Sequence, residues 1–166
     1  MIVYNEKFKV KSEYARPMFE DVTKQVKEIA ARSGVQNGQL LVFTGHTTCS
    51  VQIQEFSDGK SYWGNELIMQ DLANVMSKLI PTCESEGQYL HPCYAHIDIA
   101  GKERDEQPAW SLNTDAHLRS VVMGRSVTIP IIDGALQLGD FGCIYFGDWD
   151  QVRARERTVI VQVMGI

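Results

Sequence analysis

The stretch from Leu40 to Gln54 constrains the fold more than any other part of the chain. Leu40-Leu41-Val42-Phe43 is a continuous apolar run, the pattern of a strand buried on both faces. Beyond Gly45-His46-Thr47-Thr48-Cys49-Ser50, Val51 and Ile53 alternate with Gln52 and Gln54, the period of a strand with one wet face. Between these two strands lies a polar cluster of one His, two Thr and one Cys. It is either a hydrogen-bonded part of the core or the floor of a site.

The bounds are those of one domain spanning 1–166. With 166 residues, 44% hydrophobic and 22% charged, the chain can bury one substantial core but hardly two. A net charge of -5 excludes a sequence-independent nucleic-acid binder, which presents a basic stripe, and leaves room for a local basic pocket. Met1 to Lys7 has no signal-peptide pattern, and no stretch approaches a membrane span. The expectation is a cytoplasmic protein with neither membrane nor nucleic-acid partners. Cys49, Cys83, Cys93 and Cys143 lack paired close spacing and read as free thiols in a reducing compartment.

Taken in order, the chain opens with an alternating strand from Ile2 to Val10, and Ser12 is placed to cap a helix. Helical spacing of apolar residues predicts that helix over Glu13 to Arg32, with Pro17 in its first turn and Gly34 ending it. A second helix is predicted over Glu66 to Ile80, its inward side carrying Leu67, Leu72, Val75, Met76 and Leu79. Residues 82–111 read as a long irregular insertion, of the length that is usually functional or disordered. Its two Tyr-x-His repeats, Tyr89-Leu90-His91 and Tyr94-Ala95-His96, with Trp110, favour order.

A third helix starts from Ser111 or Asn113 and ends at Gly124, with Leu118, Val121 and Val122 inward and Asp115 near the positive end of the dipole. The remainder is strand and turn. A turn falls at Asp133-Gly134, and Pro130 puts its strand at an edge or a bulge. About three helices interleaved with hairpin-like strands give an α+β single-domain layered fold with mostly antiparallel sheet.

The candidate chemistry starts with histidine. His46, His91, His96 and His117 all fall at element boundaries or in the insertion. Neutral imidazole is a common zinc ligand, and three such ligands leave a position for water or substrate. Residue type alone favours the plainer reading, in which each is a hydrogen-bonded side chain, because no short-spaced metal motif is present. Glu55 and Asp58 are a general base or further ligand, or else a solvated strand end. Thr47 and Thr48 touch a ligand or orient His46, or are simply strand formers. Arg153, Arg155 and Arg157 alternate, so they either share an anion-binding face or guard an exposed edge.

Three segments carry a resemblance. They are His46 to Glu55, then Asp115-Ala116-His117-Leu118-Arg119-Ser120-Val121-Val122-Met123-Gly124, and the run from Ser126-Val127-Thr128-Ile129-Pro130 through Leu138-Gly139 to Ile144-Tyr145-Phe146. Together they resemble the YjbQ family, also called UPF0047 or the secondary thiamine-phosphate synthase family.

The resemblance implies an α+β homotrimer with a histidine-lined, metal-containing pocket. Position by position, it implies His46, His117 and a loop histidine as metal ligands. The loop ligand is His96, with His91 as the alternate, because Asp98 follows His96 two places on. Glu55, Thr47 and Thr48 take catalytic roles, and Asp98, Asp115, Arg153 and Arg155 bind substrate. The metal expected is zinc, with magnesium suited to a pyrophosphate substrate.

The implied activity is weak thiamine-phosphate synthesis, joining a pyrimidine pyrophosphate to a thiazole phosphate. More broadly it is a metal-assisted reaction on a small phosphorylated or anionic substrate, hydrolysis included. The alternative is a trimer that binds a small ligand or metal without turnover. The chain departs from the family's usual Asn-Glu-Asn at Gln54-Glu55-Phe56, and its stretch from Pro81 to Ser111 is longer than usual.

Overall fold

The computed structural model describes residues 1–166. Strand β8, Glu156–Gly165, is the spine of the larger sheet. It pairs antiparallel with β1, Ile2–Lys11, on one side and with β3, Gly38–Phe43, on the other. Period-two alternation buries Arg157, Val159, Val161 and Val163 on one face of β8, so a cation heads the same row that supplies core valines. Strand β5, Ser126–Ile132, follows β3, and the two-residue β6, Ala135–Leu136, ends the order β1-β8-β3-β5-β6. The β5–β6 hairpin turns on Asp133 and Gly134 at φ 49° and 75°, the pair of positive values that a type I′ turn requires. Because β6 pairs only with Ile131 and Ile132, Pro130 owes no N–H to that side.

The second sheet holds β2, Met18–Asp21, β7, Gly142–Asp148, and β4, Cys49–Glu55, in the order β2-β7-β4. Leu40, Val42, Ile129 and Val161 of the first sheet meet Val51, Ile144 and Phe146 of the second, and Val26 and Ile29 of helix α1, Thr23–Ser33, complete that core. Each fully buried side chain of this size contributes about 1.5–3 kcal/mol. On the far face of the three-stranded sheet, Phe19, Tyr145 and Trp149 pack against Met69 and Met76 of α2, Leu67–Leu79, and Ala116 of α4, Thr114–Met123. The architecture is therefore α+β and mostly antiparallel, as expected, with four α-helices.

Four expectations change. Residues 13–22 are not helical, because Pro17 disfavours helix at the residue before it and Met18–Asp21 pairs with β7 instead. Ser12 caps no helix; its hydroxyl accepts the Arg155 N–H and donates to the Arg155 carbonyl. On β4 the alternation fails: Val51 is buried as expected, but Gln52 is buried beside it and Ile53 is exposed. Residues 82–111 are not irregular throughout, since they hold helix α3, Tyr94–Arg104, and the 3-10 turn η1, Pro108–Ser111.

Two helices also turn faces other than the expected ones inward. On α2, Met76 is buried and Leu72 half-buried as expected, but Met69 and Ala73 complete that side while Leu67, Val75 and Leu79 are exposed. On α4, the inward side is Asp115, Ala116, Arg119 and Ser120, and Leu118, Val121 and Val122 face out. Ser120 Oγ donates to the Cys49 carbonyl. Small and paired polar groups thus let α4 approach β4 closely, which a run of branched residues would prevent.

Candidate functional site

A cleft of about 450 Å³ opens where three connections meet: β3 to β4, β7 to β8, and the segment from α3 through η1 into α4. Strand ends position most of its side chains. His46, Thr47 and Thr48 follow β3, and Arg153 and Arg155 precede β8, with Arg157 at the head of that strand. His91 lies before α3, His96 and Arg104 on it, Ser111 at the end of η1, and His117 in the first turns of α4. Trp110 is the one apolar side chain in the lining. All four histidines, both threonines and the three alternating arginines are therefore brought to one place.

The electrostatics are those of an anion site. Four guanidiniums, of Arg104, Arg153, Arg155 and Arg157, face only two carboxylates, Glu106 and Asp150, in a chain of net charge -5. Both carboxylates are already engaged. Arg153 NH2 lies 2.9 Å from Glu106 Oε1, Arg155 NH2 lies 3.0 Å from Asp150 Oδ2, and Arg157 NH2 lies 3.5 Å from the same oxygen. Arg157 is saturated in addition by Asp148, at 2.6 and 3.1 Å, and by Thr48 Oγ1 at 3.0 Å. Burial opposes its charge, but the hydrogen bonds and charge of Asp148 outweigh burial and raise its pKa. Arg153 and Arg155 differ, because the Nε of each is buried without a partner, as is Ser111 Oγ.

The histidines divide into two kinds. His46 Nε2 accepts the Thr158 N–H at 3.0 Å, which commits that lone pair and places the ring proton on Nδ1. Its pKa is lowered by burial and then by the Arg157 charge. His91 stands edge-on to His96 with ring centroids 4.5 Å apart, and 6.2 Å from His117. Burial and the two neighbouring imidazoles lower the pKa of His91. Burial lowers that of His117, with Asp150 and the Thr47 backbone opposing.

The set His46, His96 and His117 does not fit a metal as it stands, because His46 spends its acceptor on the backbone. Neither there nor elsewhere do three His, Cys, Asp or Glu side chains converge to hold an ion. The imidazoles the fold gathers are His91, His96 and His117, a donor type that suits zinc, in a cleft whose excess charge is positive.

Four predicted residues lie away from the cleft. Glu55 is exposed at the far end of β4. Six residues of strand at about 3.3 Å each put it roughly 20 Å beyond Cys49. Asp58 is exposed in the following loop. Asp98 pairs with Lys102 at 2.7 Å and is not in the lining, because two places along a helix is about 200° of rotation away from His96. Asp115 is buried 3.1 Å from Arg119 and accepts the Cys83 N–H. Desolvation raises its pKa, and its partners are those of a structural ion pair.

Reasoning from sequence missed Asp150, Glu106, Trp110 and the cleft role of Ser111. One signal was present. Asp148 and Asp150 are separated from Arg155 and Arg157 by only a short connection, which keeps opposite charges within reach of one another.

Two antiparallel sheets backed by helices, with a cationic, histidine-rich cleft at one end, define the class: a small α+β domain with one polar, histidine-lined cleft. The chain belongs to the YjbQ/UPF0047 family, whose profile, described as UPF0047 protein YjbQ-like, matches residues 6–166. Its relatives include a UPF0047 protein of Synechocystis, 30% identical over 141 residues, which are 85% of this chain and 79% of that one. Another is a UPF0047 protein of Methanothermobacter thermautotrophicus, 29% identical over 85% of this chain and 80% of that one. Among solved structures, a hypothetical protein of Aeropyrum pernix superposes with a TM-score of 0.74 at 28% identity, over 98% of both chains. A YjbQ/UPF0047 family protein of Clostridium acetobutylicum does so at 0.71 and 28%, over 96% of this chain and 99% of that one. No helix is long and apolar enough to cross a membrane.

Proposed function

We propose that the cleft binds a small phosphorylated substrate and that its imidazoles serve a group transfer on it. The observation that carries this reading is the excess of guanidiniums over engaged carboxylates, together with buried donors that have no partner. Within this class, thiamine-phosphate synthesis is the reaction that family resemblance implies. There the bond to pyrophosphate breaks as the new bond to the thiazole ring forms, so negative charge grows on the leaving oxygen. Fixed guanidiniums near that oxygen stabilise it, and holding both reactants in one cleft supplies orientation. Neutral His91 and His117 suit proton transfer near pH 7.

The test is an assay of pyrophosphate release from the pyrimidine and thiazole phosphates. Arg155→Gln is expected to lower turnover about tenfold or more, the worth of a hydrogen bond to a charged group. Binding of both substrates without pyrophosphate release supports the alternative, a ligand-binding protein without turnover. Failure of the wild-type protein to bind any phosphorylated molecule defeats both.

A second reading, metal-assisted chemistry, is favoured by the proximity of His91, His96 and His117, whose rings would have to turn toward a common point to hold an ion. Zinc held by these three would supply a Lewis acid for water or a carbonyl. Magnesium would instead accompany a pyrophosphate substrate. Elemental analysis of protein purified without chelator or affinity metal decides. Stoichiometric zinc that is lost in His91→Ala and kept in His46→Ala supports this set, and metal-free protein that still turns over substrate sinks it.

A further inference from the structure

We propose that Ser111, Arg153 and Arg155 form a cradle for a tetrahedral phosphate group, and that the segment from α3 through η1 sets its selectivity. This rests on the reading of the cleft as a site for a phosphorylated substrate, and names the subsite and the residues that fix it.

Ser111 is only 3% exposed, lines the cleft, and its hydroxyl has no partner. Buried polar groups are almost always hydrogen-bonded, so three orphans in one cleft mark a place for an acceptor. Each arginine commits its NH2 to a carboxylate and keeps a buried Nε without a partner. Arg153 stacks on Trp110, Cζ to ring centroid 4.4 Å, and gives its NH2 to Glu106. Arg155 gives its NH2 to Asp150, which also accepts from Asn113 Nδ2 at 3.3 Å. Trp110 precedes Ser111 and Asn113 lies two places beyond it, so both arginines are tethered beside the same hydroxyl. Arg157 offers nothing further, since Asp148, Thr48 and Asp150 occupy it.

The number and kind of donors point to phosphate rather than carboxylate. A carboxylate is met in its plane by two arms of one guanidinium fork. Here a carboxylate of the protein already engages the NH2 of each arginine, and the donors that remain are spread over three side chains. Donors spread in this way suit an anion whose oxygens point in several directions. The Ser111 hydroxyl can also accept from a protonated phosphate oxygen. Glu106, Trp110 and Ser111 all lie in 82–111, so this segment shapes the subsite while the β7–β8 connection supplies the charge.

Calorimetric titration with inorganic phosphate, and with acetate at matched ionic strength, tests the inference. The wild-type protein is expected to bind phosphate at least roughly tenfold more tightly than acetate. Ser111→Ala and Arg153→Lys, the latter keeping the charge but losing Nε, are each expected to weaken phosphate roughly tenfold or more. Lys102→Gln, which removes a positive charge on the outer side of α3 away from the cleft lining, should leave the affinity unchanged. Wild-type affinity in both cleft variants overturns the cradle while leaving an anion-binding cleft intact. No phosphate binding by the wild-type protein overturns the functional reading as well. Should Arg153→Lys fail to fold, Ser111→Ala decides alone, because its hydroxyl bonds to nothing in the folded protein.

Discussion

Arg157 and His46 sit side by side in the cleft lining but answer to different physics. Arg157 is 4% exposed and Asp148 fully buried, and removing one partner from such a pair strands the other charge. Arg157→Met is therefore expected to lose roughly 3–5 kcal/mol of stability, read as a lowered urea midpoint. A loss below about 1 kcal/mol, the range of exposed pairs, would show that the pair is solvated. For His46, protonation removes the lone pair that holds the Thr158 N–H. Its folded pKa lies below the ordinary 6.5, so below that pH the unfolded chain takes up the proton first. Stability is thus full above about pH 6.5 and falls as the pH drops toward the folded value. His91 and His117 shift in the same direction, so His46→Gln should make the fall between pH 7.5 and 5.5 shallower without abolishing it. An unchanged slope in denaturation at the two pH values would clear His46 of this role.

Helix α3 buries only Ala100 and packs chiefly on η1, whereas Leu40 and Val42 of β3 are completely buried in the middle of a five-stranded sheet. Its amides should exchange by local opening, orders of magnitude faster than those of β3 and β8. Equal protection by hydrogen exchange would mean that α3 is an integral part of the core. The same contrast explains what could be read from the chain. Strands such as β1, β3 and β8 declare themselves by run or alternation, and Gly34 at φ 71° marks the end of α1 because few other residues tolerate that conformation. Helix α3 has no apolar stripe to read, its single buried residue being an alanine. Residues 13–22 carry helical spacing, yet sheet pairing with β7 overrides it. His46 and the arginines were legible as candidates because side chains at strand ends gather at one end of a sheet, and the other histidines because of their residue type. Glu55 was misplaced because its strand runs away from that end, and Ser111 passed for a helix cap.

Across the whole molecule, the misjudged face of α4 marks a surface. Leu118, Val121 and Val122 occupy one side of α4 at spacings of three and four, yet Val121 is 77% exposed, while Asp115, Arg119 and Ser120 face inward. An apolar stripe normally faces the core; one that faces outward on a helix already packed by its other side leaves a surface suited to another chain. Ile53 on β4, which α4 lies against, is exposed as well. We propose that this surface joins copies of the chain in the homotrimer that family resemblance implies, an isolated protomer leaving it wet. Sedimentation at micromolar concentration is expected to give three times the protomer mass of 18.7 kDa. Val121→Asp combined with Val122→Asp should reduce it to the protomer. Both positions are exposed in the protomer, so the far-ultraviolet circular dichroism of the double variant should match that of the wild type. A wild-type chain that sediments as a monomer, or a double variant that remains a trimer, removes this face as the contact and leaves its apolar exposure to be explained by some other partner.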